Sequence, residues 1–156
     1  YLSLQSCLAR DDLNGAHESA LLYIAAFDQS TARLDVETLT RHADAIAQAN
    51  DIDAARASFR DLSGQAIQLF DYLAGPVSSP LFLVRCPMAF DGSGAEWVQS
   101  SQDVANPYYG SSMQSCGSIV RRIGAPATAA SQPTASCCST GEACEHAEAT
   151  QSCCPH

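Results

Sequence analysis

Between Asp51 and Ala74 the apolar residues Ile52, Ala55, Phe59, Leu62, Ala66, Leu69 and Leu73 recur at alternating steps of 3 and 4. That spacing keeps a narrow apolar stripe on one side of an α-helix and suits packing along partners at a shallow angle. Asp51 stands where an N-cap belongs, and Gly75-Pro76 supplies a stop. Shorter stripes obey the same rule. Val36, Leu39, Ala43 and Ile46 predict a helix over about 35–50, and Leu13, Ala16, Ala20, Ile24 and Phe27 predict one opened by Asp11 or Asp12. Tyr1, Leu4 and Leu8 predict a short fourth. Linkers of a few residues favour antiparallel neighbours. The expected fold is therefore mainly α, an antiparallel up-and-down bundle of three to four helices.

After Pro76 the texture changes. Pro80-Leu81-Phe82-Leu83-Val84 is a short apolar run with strand-like content, and the turn formers Asp91-Gly92-Ser93-Gly94, Asn106-Pro107 and Gly110-Ser111-Ser112 punctuate the stretch beyond it. Residues 80–124 read as an irregular Cys/Met lobe, with a strand and a short helix near Trp97, closing a domain that spans 1–124. From Ala125 to His156 there is no Val, Ile, Leu or aromatic residue. Such a segment cannot bury enough apolar area to offset chain entropy, so 125–156 is expected to be a disordered, Cys-rich tail.

Charge narrows the range of partners. Eight basic residues, all Arg, face 17 acidic ones for a net charge of -9. A surface this acidic does not neutralise phosphates, so no nucleic-acid partner is expected. The absence of Lys removes Schiff-base chemistry and the phosphate-binding P-loop. No apolar stretch approaches the roughly 20 residues that span a bilayer, so no transmembrane segment is expected. No G-x-S-x-G or H-E-x-x-H motif is present, and the chain is read as not an enzyme. Eight cysteines fit an oxidising compartment or soft-metal handling better than an ordinary reducing one.

Both methionines of the chain stand beside cysteines, as Cys86-Pro87-Met88 and as Met113-Gln114-Ser115-Cys116. Thiolate and thioether form a soft donor set that selects Cu(I) or Ag(I) over hard cations. Pro87 stops Cys86 and Met88 from continuing a helix or interior strand, so both can turn toward one point. Met113 and Cys116, three apart, converge if they share a helical turn. The aromatic residues Phe90, Trp97, Tyr108 and Tyr109 between the pairs could wall such a site from water. The alternative is a Cys86 to Cys116 disulfide that staples the lobe, with the methionines as packing.

The string Cys86-Pro-Met-Ala-Phe-Asp-Gly-Ser-Gly-Ala-Glu-Trp97, followed by Asn106-Pro-Tyr-Tyr-Gly110, Met113 and Cys116-Gly117, resembles the signature of a bacterial domain of unknown function. That domain is found at the C-terminus of CusB-type periplasmic adaptors (membrane fusion proteins) of copper/silver efflux systems, and as a separate exported protein. Asp51-Ile52, Arg56, Phe59 and Leu62-Ser63 fit its helical half, so the resemblance covers roughly 1–120. It implies a helical bundle, a periplasmic or otherwise exported location, and a role in heavy-metal resistance with an efflux adaptor or metallochaperone as partner. Where many relatives carry histidines this chain has Ala45, Ala54 and Arg85, which leaves Cys86, Met88, Met113 and Cys116 as the primary metal ligands.

The tail adds a second candidate set. Cys137, Cys138, Cys144, His146, Cys153, Cys154 and His156 crowd into twenty residues, a ligand density typical of metal-scavenging segments. Elsewhere His17 and His42 read as solvated helix positions, Cys7 as a small buried hydrophobe, and Asp11-Asp12 as capping.

Overall fold

The computed structural model describes residues 1–28, 36–72 and 79–124. Four helices come first: α1 (Leu2–Leu8), α2 (Leu13–Asp28), α3 (Val36–Ala47) and α4 (Ile52–Tyr72). All four lie where the apolar stripes place them. Asp51 caps α4 by accepting from the Ala54 amide (2.8 Å), and Asp12, not Asp11, caps α2 through the Gly15 amide (2.9 Å). Leu73, Ala74 and the Gly75-Pro76 stop lie outside the described residues, as does the whole tail with Cys137, Cys138, Cys144, His146, Cys153, Cys154 and His156.

The helices are only half of the architecture. Three strands come after them, β1 (Leu81–Cys86), β2 (Ala95–Gln99) and β3 (Ser118–Ile123), in an antiparallel sheet of order β2-β1-β3. The fold is mixed α/β, which corrects the expected up-and-down helical bundle with an irregular lobe. The supposed short helix near Trp97 is strand β2, and a short 3-10 turn at Gly110–Ser112 is the only helical piece described in that region. The reason is packing on both sides of the sheet. Leu81, Phe82, Leu83 and Val84 of the central strand are all buried, so β1 shows a continuous apolar run without alternation.

Phe82, Val84, Cys86 and Trp97 join Leu4, Leu8, Phe59 and Leu62 in the main core, whereas Leu81, Leu83, Val98 and Ile123 pack with Tyr1, Leu2, Ile67 and Phe70. Helices α1 and α4 both pack on β2, and α3 is sandwiched between α2 and α4. Strand β3 lies at the edge of the sheet, with all its residues but Ile123 exposed, and carries one extra residue at Val120 between the pairs Leu83–Arg121 and Val84–Ile119.

One charged residue sits in the apolar stripe of α4. Arg56 is 7% exposed. Its Nη2 donates to Asp11 Oδ1 (2.5 Å) and to the Leu8 carbonyl (3.1 Å), and its Nε donates to the Pro107 carbonyl (2.9 Å). Asp11 also accepts from the Ser111 amide (3.0 Å). The α1–α2 corner, α4 and the Asn106–Gly110 loop are thereby joined by one hydrogen-bonded ion pair, buried on its Arg56 side and open to solvent on its Asp11 side.

Candidate metal centre

Cys86 ends β1, and Cys116 stands two residues before β3 begins. The antiparallel register pairs Val84 with Ile119 and Arg85 with Ser118, so continuing it by one step carries Cys86 to the entrance of β3. The two sulfurs lie 3.1 Å apart, although 30 residues separate them in sequence. Both are free thiols. Cys86 is fully buried and Cys116 half-buried, so the pair is anchored on the core and opens outward through Cys116. The hydrogen bond between them, reinforced by burial and by the neighbouring Cys86 charge, raises the Cys116 thiol above the ordinary thiol range.

Two neighbours fix Cys116. Fully buried Asn106 donates from Nδ2 to the Cys116 carbonyl (2.7 Å), while its Oδ1 accepts from the amides of Tyr108 (2.8 Å) and Tyr109 (3.3 Å). Gly117 comes next with φ +141, and a Cβ there would stand 2.9 Å from Trp97 Cη2 and 3.2 Å from the Arg85 carbonyl. Only glycine lets Trp97 reach beneath the Cys116–Ser118 segment. Trp97 is itself fully buried, its indole N–H donating to Gln99 Oε1 (2.9 Å) and its ring meeting Tyr108 edge-on.

The methionines occupy flanking turns. Met88 lies in the turn between β1 and β2, in which Phe90 and Asp91 adopt left-handed φ values of +53 and +55 ahead of Gly92 at +84. For a bulky residue such as Phe90 this conformation is uncommon, and its ring is held by Tyr108 at 5.3 Å and by the Arg60 guanidinium at 4.8 Å. The Tyr109 hydroxyl donates to the Met88 carbonyl (2.7 Å). Met113 succeeds the 3-10 turn, and the Cys116 amide closes a tight turn onto the Met113 carbonyl (3.0 Å), so the i, i+3 pair does not lie on an α-helix. Met88 is 56% exposed and Met113 42% exposed, so neither fills the core.

The structure thus brings Cys86 and Cys116 into contact and leaves Met88 and Met113 on exposed turns, two residues after Cys86 and three before Cys116. Among the described residues no three His, Cys, Asp or Glu side chains converge, so no zinc-type set surrounds the pair. Two thiols in contact are donors of the kind that suits a soft d10 ion of low coordination number, which Cys86 and Cys116 would hold as thiolates. Cys7 is buried beside Ser19 and Arg10, His17 is half-buried and in hydrogen-bond contact with the Ala49 carbonyl (3.0 Å), and His42 lies 3.9 Å from Asp61. None of these groups meets the thiol pair.

Asn106, Gly110, Gly117 and the Asp11–Arg56 pair were not legible as supports of the site. Arg56 did carry a signal, because it lies on the α4 stripe between Ile52 and Phe59, where a charge must find a buried partner. No family model, no curated protein and no solved structure matches this chain. No described helix is long and apolar enough to cross a membrane.

Proposed function

We propose that this chain is a non-catalytic, exported binding domain that holds one Cu(I) or Ag(I) ion on Cys86 and Cys116 and passes it to or from an efflux adaptor or metallochaperone. The 3.1 Å contact between the two sulfurs carries the reading. Two thiols brought together from distant segments form a preassembled dithiol, which gives up its protons as the ion binds, and a soft monovalent ion needs little more than two such donors. Met88 and Met113, exposed and close in sequence to the two thiols, would supply weaker thioether donors for ligand exchange with an incoming donor protein. The net charge of -9 favours a basic docking surface on that partner, an effect that salt attenuates.

The same contact favours a second reading, a structural domain stapled by a Cys86 to Cys116 disulfide, because sulfurs this close need approach by only about 1 Å to reach bonding distance. Thiol counting on protein purified without reductant separates the two. Silver nitrate titration of the reduced full chain then tests metal uptake locally, since Trp97 is the only tryptophan and packs against Gly117. The expected result is a saturable change in Trp97 emission that Cys86→Ala/Cys116→Ala abolishes, with one Ag(I) fewer per chain by native mass spectrometry. Because thiols lose protons on binding, the apparent affinity should rise with pH. An unchanged Trp97 response and unchanged stoichiometry in the double variant would overturn the metal reading.

A further inference from the structure

The Asn106–Gly110 loop touches both arms of the candidate centre. Asn106 reads the Cys116 carbonyl through its side-chain amide, and Tyr109, three residues on, reads the Met88 carbonyl through its hydroxyl. The two contacts are rigidly coupled, because Asn106 Oδ1 accepts from the Tyr109 amide and the Asn106 carbonyl accepts from Gly110 (3.1 Å). The loop is in turn pinned to the core, since the Pro107 carbonyl accepts from buried Arg56 and the Tyr108 hydroxyl donates to the Glu96 carbonyl (2.6 Å). Next to Met88 the turn is seated on the core by buried Ala89 and by Phe90 against Tyr108 and Arg60, whereas Met88 itself is exposed and its carbonyl is tied to another loop by the Tyr109 hydroxyl. The turn's internal bonds run from Gly92 to Met88, from Ser93 to Phe90 and from Gly94 to Ala89, and they close the turn on itself.

We propose that Tyr109 is a positioning residue for Met88: its hydroxyl ties the Met88 turn to the same loop that holds Cys116, and so sets the thioether in register with the dithiol. The inference rests on the soft-metal reading of Cys86 and Cys116. A thioether is a weak, neutral donor that contributes when it is delivered to the ion in advance, since the cost of ordering its turn then falls on folding rather than on binding. Aromatic packing alone does not supply this, because the contact from Tyr109 to the turn is made by its hydroxyl. Phenylalanine in its place keeps the ring and removes the tie.

The test is a double-variant cycle in the reduced full chain, with silver nitrate as probe and Trp97 emission as the local readout. Tyr109→Phe is expected to weaken Ag(I) binding by about threefold to tenfold, the worth of one hydrogen bond expressed as affinity. The thermal midpoint of the metal-free chain should stay within about 2 °C of wild type, because the bond is solvent-exposed. In a Met88→Leu background Tyr109→Phe should have no further effect on affinity, since the residue it positions has lost its sulfur. The ε-methyl NMR signal of Met88, one of only two methionines, should shift in metal-free Tyr109→Phe while that of Met113 stays in place. Equal losses from Tyr109→Phe with and without Met88→Leu, or no loss in either background, would overturn the positioning role while leaving the dithiol centre standing. No Trp97 response to Ag(I) in the wild-type chain would remove the metal reading, and the inference with it.

Discussion

Gly110→Ala probes the joint on which the lobe rests. Gly110 has φ +56, and a Cβ placed on it would overlap Asp11 Oδ1 and Arg56 Nη2, the two atoms that form the half-buried ion pair. The left-handed backbone alone costs an alanine about 1–2 kcal/mol. Displacing the Asp11 carboxylate would leave Arg56 buried with only the Leu8 and Pro107 carbonyls and a 3.6 Å contact to exposed Asp53. Breaking a buried pair costs about 3–5 kcal/mol. Asp11 is 38% exposed, however, and the carbonyl partners survive, so about 2 kcal/mol is the appropriate share. The sum, about 3–4 kcal/mol, is a large fraction of the roughly 5–15 kcal/mol of a typical domain. Urea unfolding under reducing conditions, followed by Trp97 emission, measures it as a fall in midpoint at constant slope. Asp11→Ala supplies the control, because without the carboxylate the Asp11 overlap is gone and the released Arg56 guanidinium has room to yield, so Gly110→Ala should then cost less than in the wild-type chain. A loss below about 1 kcal/mol, or costs that simply add in the double variant, would refute the argument.

Leu62→Asp places a carboxylate at a fully buried position facing Phe59 and the sheet, and should cost several kcal/mol and unfold the domain; an unchanged melting curve would remove Leu62 from the core. Acid should reveal Asp11, whose carboxyl is held down to about 2 by hydrogen bonds from Ser111 and then Arg56. Its folded value lies below its unfolded one, so the contribution is complete above about pH 4 and disappears as the pH falls toward 2, amounting to about 1 kcal/mol after solvent screening. Asp11→Asn should flatten that part of the stability profile, and parallel wild-type and variant profiles between about pH 5 and pH 2 would count against the pair.

The helices were legible because each writes its burial into local spacing, and the α4 stripe from Ile52 to Leu69 is the clearest case. The sheet was not, because its evidence is non-local. β1 is covered on both faces and loses alternation, β2 is five residues long between Gly94 and Ser100, and β3 exposes Ile119, Val120, Arg121 and Arg122 and so carries no buried face to read. For the same reason sequence could pair Cys86 with Cys116 by chemistry and not by distance, since only the β1–β3 register brings them into contact. Arg56 entered only through the family resemblance, because a stripe defined by apolar residues passes over a buried guanidinium whose partner Asp11 stands 45 positions away.

Three bonds tie the first eleven residues to the end of the described chain: Gln5 to the Ala105 carbonyl across 100 positions, Asp11 to the Ser111 amide across 100, and the Tyr1 hydroxyl to the Val98 amide across 97. These closures give the domain a high contact order for a chain with four helices, and such topologies fold on slower timescales than helical bundles of equal length. During synthesis α1–α4 leave the ribosome well before the Asn106–Gly110 loop that clamps them. The opening helix therefore waits for its partner, and Cys86 is exposed as a lone thiol until Cys116 arrives 30 residues later. The pair exists only once strand β3 is laid against β1 and the sheet is complete.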